Sequence, residues 1–321
     1  METGQIRPII CDHFRKSLKT LRRDGLVIGL SGGVDSTLSA HLAVAAVGAE
    51  RVLGVILPER ESSPESRELA MDLVSKLGIA QEEVNLTPAL EALGAYAKRD
   101  EIVRKYYSQY RPGKDRVGIA LHQDMLGSSM PPIHYLVVQN EDRETVLEER
   151  IRLGDYSALV AATNFKQRMR AVQLYYFADH RNYAVLGTTN RDELLLGFFV
   201  KLGDGAADVE GIEGFYKSEL YLLARDMGVD QRVIDRTPTT DTLPGQSSQR
   251  GYFYGLEFGT LDAGLAAMEG TLSVDEAAKR TGLTKVQINQ LTENLKRRHT
   301  TTTILRSAPL GIGRAPYTHL I

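Results

Sequence analysis

Apolar residues recur along the chain with two periods, one helical and one strand-like. Residues 8–23 set Ile9, Ile10, Phe14, Leu18 and Leu21 roughly along one helical face. An apolar run over 26–30 predicts a strand, and the alanine-rich stretch behind it a helix to about residue 47. "RVLGVILPE" predicts a second buried strand, rich in β-branched residues. "SSPESRELAMDLVSKLG" predicts a helix: Ser63 can cap it, Pro64 suits its first turn, Gly78 its end, and Leu69, Leu73 and Leu77 repeat at helical spacing. "EEVNL" and "NYAVLGTTN" predict further strands, the second ending in hydroxyls. Strands alternating with helices predict an α/β fold: a doubly wound, mostly parallel sheet with helices on both faces. Such sheets bind ligands beyond the carboxyl ends of their strands, where "SGGVDS" and "GTTNRDE" both begin.

Two regions leave this rhythm. Residues of about 100–156 are polar, basic and tyrosine-rich at first, then carry a Pro-Pro break and one apolar strand. They predict an inserted segment, a lid or an interaction surface. Further on, "SVDEAAKRTGLTKVQINQLTENLKRRH" spaces Ala277, Ala278, Gly282, Leu283 and Ile288 as two packed helices would. That is either an ordinary helical hairpin or a helix-turn-helix, and the second reading would make this a DNA-binding protein. The expected division is 1–270 with the insert, then 271–321 as a helical hairpin and tail.

Composition narrows the partners. A formal net charge of −2 over 321 residues argues against nucleic acid or a membrane surface. One cysteine, Cys11, excludes an internal disulfide and any multi-cysteine zinc site. The first 25 residues lack a signal-peptide core, and no apolar run approaches membrane-spanning length. The expectation is a soluble cytoplasmic protein.

"GLSGGVDST" carries the chemistry. Its glycines let backbone N–H groups approach an anion closely, and the helix start adds partial positive charge. The lysine of the common P-loop is absent, and Asp35 offers a carboxylate instead. A carboxylate beside phosphates makes sense if it holds Mg²⁺. That suits an enzyme from which pyrophosphate leaves while AMP is transferred.

"SGGVDS" resembles the PP-loop of the ATP-pyrophosphatase superfamily. The block "NFKQRMRAVQLYYFADHRNYAVLGTTNRDELLLGFFVKLGDGAADVEGIEGFYKSELYLLARDMGV", continued by "PTTDTLPGQ", resembles the ammonia-dependent NAD synthetases. The resemblance implies that Gly29, Leu30, Ser31, Gly32, Gly33, Val34, Asp35 and Ser36 hold ATP with Thr188, Lys217 and Thr239. It implies Asp35 and Glu193 for Mg²⁺, and Asp35, Asp204 and Lys217 at the reacting centre. It implies Asn164, Arg168, Arg170, Lys201 and Asp208 for the acceptor. Read without it, Lys166 and Arg170 form a solvated basic face, and Phe165, Met169, Val172 and Tyr176 lie on another.

The implied reaction adenylates a carboxylate, releases pyrophosphate and transfers ammonia, with deamido-NAD as acceptor and NAD as product. The implied assembly is a homodimer, with ammonia free or supplied by a separate glutaminase. Three departures keep another carboxylate open as the acceptor. Ile304 and Leu305 stand where the family carries a His-Lys pair ahead of the residues matching Arg306 and Pro309. "ERESSPES" follows the second strand, and the insert brings extra tyrosines and cations.

Overall fold

The computed structural model describes residues 3–122, 126, 133–238, 243 and 254–310. Among these the strands are β1 (Gly25–Gly29), β2 (Val52–Ile56), β3 (Ala80–Glu83), β4 (Arg116–His122), β5 (Ile133–Gln139), β6 (Thr145–Arg150), β7 (Tyr183–Gly187) and β8 (Val209–Glu210). The first seven helices are α1 (Thr3–Leu21), α2 (Val34–Val47), α3 (Pro64–Leu77), α4 (Thr87–Ala92), α5 (Ala95–Tyr106), α6 (Leu153–Arg181) and α7 (Arg191–Leu196). Then come α8 (Lys217–Asp226), α9 (Gln231–Asp235), α10 (Phe258–Glu269), α11 (Val274–Thr281), α12 (Lys285–Thr301) and α13 (Thr303–Arg306).

The main sheet runs β3-β2-β1-β7-β8, with parallel pairing throughout. The expected α/β class and parallel sheet are therefore present. β1, β2 and β7 are continuous apolar runs because both sheet faces are covered. Leu26 and Ile28 pack toward α1, α2, α3 and α8, while Val27 packs toward α4, α5 and α6. Strand order reverses between β1 and β7, which opens a crevice at their carboxyl ends.

Several local readings are corrected. On α1 the buried stripe is Ile6, Ile10, Phe14 and Leu18, spaced by four, and Ile9 and Leu21 are exposed. β3 covers Ala80–Glu83 rather than "EEVNL". As an edge strand it is mostly exposed and lacks an apolar pattern, whereas Leu86 just beyond it is buried in the core and mimics a strand signal. Pro64 opens α3 and left-handed Gly78 closes it, but Ser63 makes no side-chain cap bond. On α6, Phe165 and Met169 pack partly into the core, while Val172 and Tyr176 are exposed.

The inserted region holds three strands instead of one. β4, β5 and β6 form an antiparallel sheet with its own cluster around Val117, Ile119, Leu136 and Val138, sealed by Ile102 and Val103 of α5 and Leu159 of α6. β6 escaped the sequence reading because "TVLEER" is largely exposed and charged. At the other end of the chain, α11 and α12 form a helical hairpin on α10, with Ala277 and Ile288 buried as their spacing required. Leu291 and Leu295 of α12 reach further, to Leu195 and Leu196 of α7. Among the described residues no helix is long and apolar enough to cross a membrane.

Phe14 is fully buried, and a Cβ on Gly211 would lie 2.3 Å from its ring. Phe14→Ala should cost about 3–5 kcal/mol of stability. Urea unfolding should show this as a lower midpoint at unchanged slope.

Candidate active site

The turn between β1 and α2 is wired to itself. Ser36 Oγ donates to Gly33 O at 3.1 Å and stands 3.1 Å from Ser31 Oγ, and Gly33 N donates to Ser31 Oγ at 3.3 Å. Gly32 has φ +70°, and a Cβ there would sit 2.6 Å from Ser66 O, so only glycine fits. Gly33, which precedes α2, supplies no side-chain cap. The first-turn amides are thus available to an anion.

Lys217 opens α8 and is buried, with its Nζ paired to Asp35 Oδ2. Burial alone would lower the lysine's pKa, but the charges of Asp35 and Glu193 outweigh it and hold the ammonium firmly protonated. Asp35 Oδ1 is buried without a hydrogen-bond partner among the described residues. Glu193 belongs to a capping box at the start of α7: Asn190 Oδ1 accepts from Glu193 N at 3.0 Å, and Glu193 Oε2 accepts from Asn190 N at 3.1 Å. Burial, then the Asp35 charge, pushes the Glu193 carboxyl up to about 8. Two carboxylates that repel across a buried gap, one with an orphaned oxygen, make a donor set fitted to a hard divalent cation.

A cavity of about 530 Å³ opens at the carboxyl ends of β1, β2 and β7. Of the residues singled out from the sequence, Gly29, Leu30, Ser31, Gly33, Asp35, Ser36, Thr188 and Glu193 line it. Asn164, Arg170 and Asp204 line it as well. Val34 and Lys217 line a smaller cavity of about 100 Å³ behind Asp35. Asp204 Oδ1 accepts from Val200 N at 2.6 Å, and burial raises its carboxyl.

Three expected acceptor residues point elsewhere. Lys201 Nζ donates to Ile304 O at 2.9 Å and Ser307 O at 2.6 Å. Asp208 Oδ2 accepts from Val185 N at 2.9 Å. Arg168 is exposed and reaches Lys201 O at 3.4 Å. Thr239 lies outside the described residues. Leu305 lines the cavity, whereas Ile304 is 68% exposed.

Other groups at and behind the cleft escaped the sequence reading. Arg236 braces the glycine turn, donating to Ser66 Oγ at 2.7 Å and Gly32 O at 3.4 Å, and it lines the smaller cavity beside Lys217. Asp262 of α10 accepts from Ser218 N at 2.9 Å and so caps the turn that carries Lys217. Asp192 is fully buried, and burial together with Asp262 keeps its carboxyl protonated well above the usual range. Lys166 is 2% exposed, not solvated, and is paired with Glu59 and Glu61. Tyr156 lines the far end of the main cavity and stacks on His134 of β5 at 4.2 Å between centroids, so the inserted sheet reaches the site. A dipeptide such as "PE" carries no local sign of such long-range partners.

Fold and cleft together define an α/β nucleotide-binding protein of the PP-loop class, with a carboxylate, Asp35, rather than a lysine at the glycine turn. A family model described as NAD synthase matches residues 7–111 and 131–302. The chain is 39% identical over 299 residues to the NH(3)-dependent NAD(+) synthetase of Rhizobium meliloti (strain 1021), spanning 92% of this chain and 87% of that protein. Among solved structures it resembles NMN synthetase from Francisella tularensis, with a TM-score of 0.67, 20% identity, and 98% and 100% of the two chains covered. It also resembles NH3-dependent NAD synthetase from Campylobacter jejuni subsp. jejuni NCTC 11168, with a TM-score of 0.63, 24% identity, and 97% and 99% covered. The two structural likenesses show the fold. The chain belongs to the NAD synthase family.

Magnesium with ATP should raise the thermal unfolding midpoint, since a ligand at 100 times its Kd adds about 2.7 kcal/mol of stability. Asp35→Ala should remove most of that shift and, by leaving the Lys217 ammonium buried without its anion, should also lower the ligand-free midpoint.

Proposed function

We propose that the chain carries out its family's reaction, the ATP-dependent amidation of deamido-NAD to NAD with ammonia, releasing AMP and pyrophosphate. The observation that carries this reading is the Lys217–Asp35 pair facing Glu193 at the strand-order reversal. The triphosphate lies over the β1–α2 turn, with first-turn amides, Ser31 and Ser36 toward its oxygens and Thr188 beside it. Asp35 and Glu193 would hold Mg²⁺, which supplies charge neutralisation to the departing pyrophosphate. Lys217 and Arg236 place two cations behind Asp35, where pyrophosphate charge develops. Thr239 is proposed as a further ATP contact on the resemblance alone.

An acceptor carboxylate oxygen attacks the α-phosphorus, and the bond to pyrophosphate breaks. Ammonia then attacks the acyl carbon, AMP leaves with the bonding pair, and the surplus proton passes to water. Asp204, raised by burial, sits on the acceptor side, where it orients the incoming amine. Arg170 and Asn164 hold the acceptor's polar groups. Arg168, Lys201 and Asp208 serve by anchoring the loop that carries Asp204. The assembly is a homodimer, a reading supported by the exposed Val172 and Tyr176 on α6. Ammonia is free or comes from a separate glutaminase, and the setting is cytoplasmic. A second reading, another carboxylate as acceptor, is favoured by Leu305 at the cavity in place of a charged side chain.

Purified protein with Mg-ATP, ammonium and deamido-NAD should form NAD, AMP and pyrophosphate in equal amounts by mass spectrometry. Asp35→Asn and Glu193→Gln should each lower turnover about 100-fold or more. ADP and phosphate as products would overturn the mechanism. AMP release with another carboxylate, and none with deamido-NAD, would select the second reading.

A further inference from the structure

The segment between β2 and α3 has two faces. Toward the cavity it presents Leu57, Pro58, Ser62 and Ser63. Away from it, Glu59 and Glu61 turn into the interior. Lys166 Nζ of α6 donates to Glu59 Oε1 at 3.0 Å and to Glu61 Oε2 at 2.7 Å. Arg99 of α5 donates to Glu61 Oε2 at 2.6 Å and to Asp100 Oδ1 at 2.7 Å. Tyr96 OH donates to Glu59 Oε2 at 2.6 Å, and Arg60 lies 3.6 Å above the Tyr96 ring and 3.8 Å from Glu61. Three acids thus meet three bases, and Lys166, Arg99 and Glu59 are almost wholly withdrawn from water.

Buried ion pairs of this kind are poor sources of net stability, because desolvation offsets most of the attraction. Their geometry, however, is exacting. Lys166 lies within a turn of Asn164, Gln167 and Arg170, which line the acceptor side of the cavity. Its two glutamates belong to the adjoining 57–63 segment, whose Leu57, Pro58, Ser62 and Ser63 line the same cavity. We infer that Lys166 is a positioning residue: through Glu59 and Glu61 it fixes the 57–63 wall of the nucleotide pocket against α6, and so sets how ATP sits relative to the acceptor. This rests on the ATP reading given above. The segment is also held by Leu86 N, which donates to Pro58 O at 2.8 Å, and by Arg60, which reaches Glu91 at 3.4 Å. Within it, Ser62 N donates to Glu59 O at 2.9 Å, and Glu59 N donates to Ser62 Oγ at 3.1 Å. Glu59 is therefore both the internal staple of the turn and its anchor to α6.

The test is Mg-ATP binding by calorimetry on the full chain, with thermal melts in parallel. Lys166→Met should weaken ATP binding about tenfold or more, since it leaves two buried carboxylates short of a charged donor. Lys166→Arg should restore most of the affinity. Glu61→Gln, which keeps size and shape, should weaken binding by about threefold or more and carries the test if Lys166→Met does not fold. A lower melting temperature with wild-type ATP affinity in the folded variants would assign the network a purely structural role and overturn the inference. Failure of the wild-type chain to bind Mg-ATP would instead overturn the nucleotide reading on which the inference rests.

Discussion

Lys217 could not stay charged in its place without Asp35. It is the first residue of α8, almost fully buried, and an ammonium moved there from water costs several kcal/mol unless an anion meets it. Asp35 meets it from α2, 182 positions earlier in the chain. Much of the architecture serves that meeting. The β1–α2 turn needs Gly32 to pass close to Ser66, and Arg236 ties the same turn to α3. The start of α8 is capped by Asp262 from α10, and α10 is in turn held by α11 and α12. The C-terminal helices therefore help to hold the start of α8, and with it Lys217, in place. Glu193 joins the same charge balance from α7, whose apolar residues Leu195 and Leu196 are seated on α12.

What the sequence made legible follows from distance along the chain. β1, β2 and β7 announced themselves because strands buried on both faces are unbroken apolar runs. The SGG-x-DS turn was legible because its chemistry is contiguous: glycines, an acid and a hydroxyl within nine residues at a strand end. β3 was misplaced because an edge strand is half solvated, and the apolar residues nearby belong to the packing behind it. Lys166 was misread for a different reason. A lysine four residues from an arginine on a helix looks solvated unless one knows that two glutamates more than 100 positions away arrive at its tip. Helical spacing describes which residues share a face, not whether that face meets water. The α1 stripe is buried at Ile10, Phe14 and Leu18 but not at Ile9 and Leu21, and it continues one turn back to Ile6 because the register of burial is set by the partner helices.

Arg306 and Lys201, two cations of the family pattern, are both committed to backbone carbonyls. Arg306 survives from the C-terminal motif, but its guanidinium donates to Leu194 O at 3.1 Å and Leu195 O at 3.2 Å, the last carbonyls of α7. A cation at a helix C-terminus satisfies orphan carbonyls and opposes the helix dipole. Lys201 does the same service for the segment that follows, through Ile304 O and Ser307 O. Leu305 then turns toward the cavity, next to Thr302. With these cations committed to backbone carbonyls, the polar side chains that α6 brings to the cavity include Asn164, Gln167 and Arg170. Arg170 itself is steadied by Gln167 Oε1 at 2.7 Å. These side chains sit on the same long helix that carries Lys166. On the proposed reading, the helix that would meet the acceptor is the one clamped to the 57–63 segment, and a single rigid element would set the distance between the two reactants.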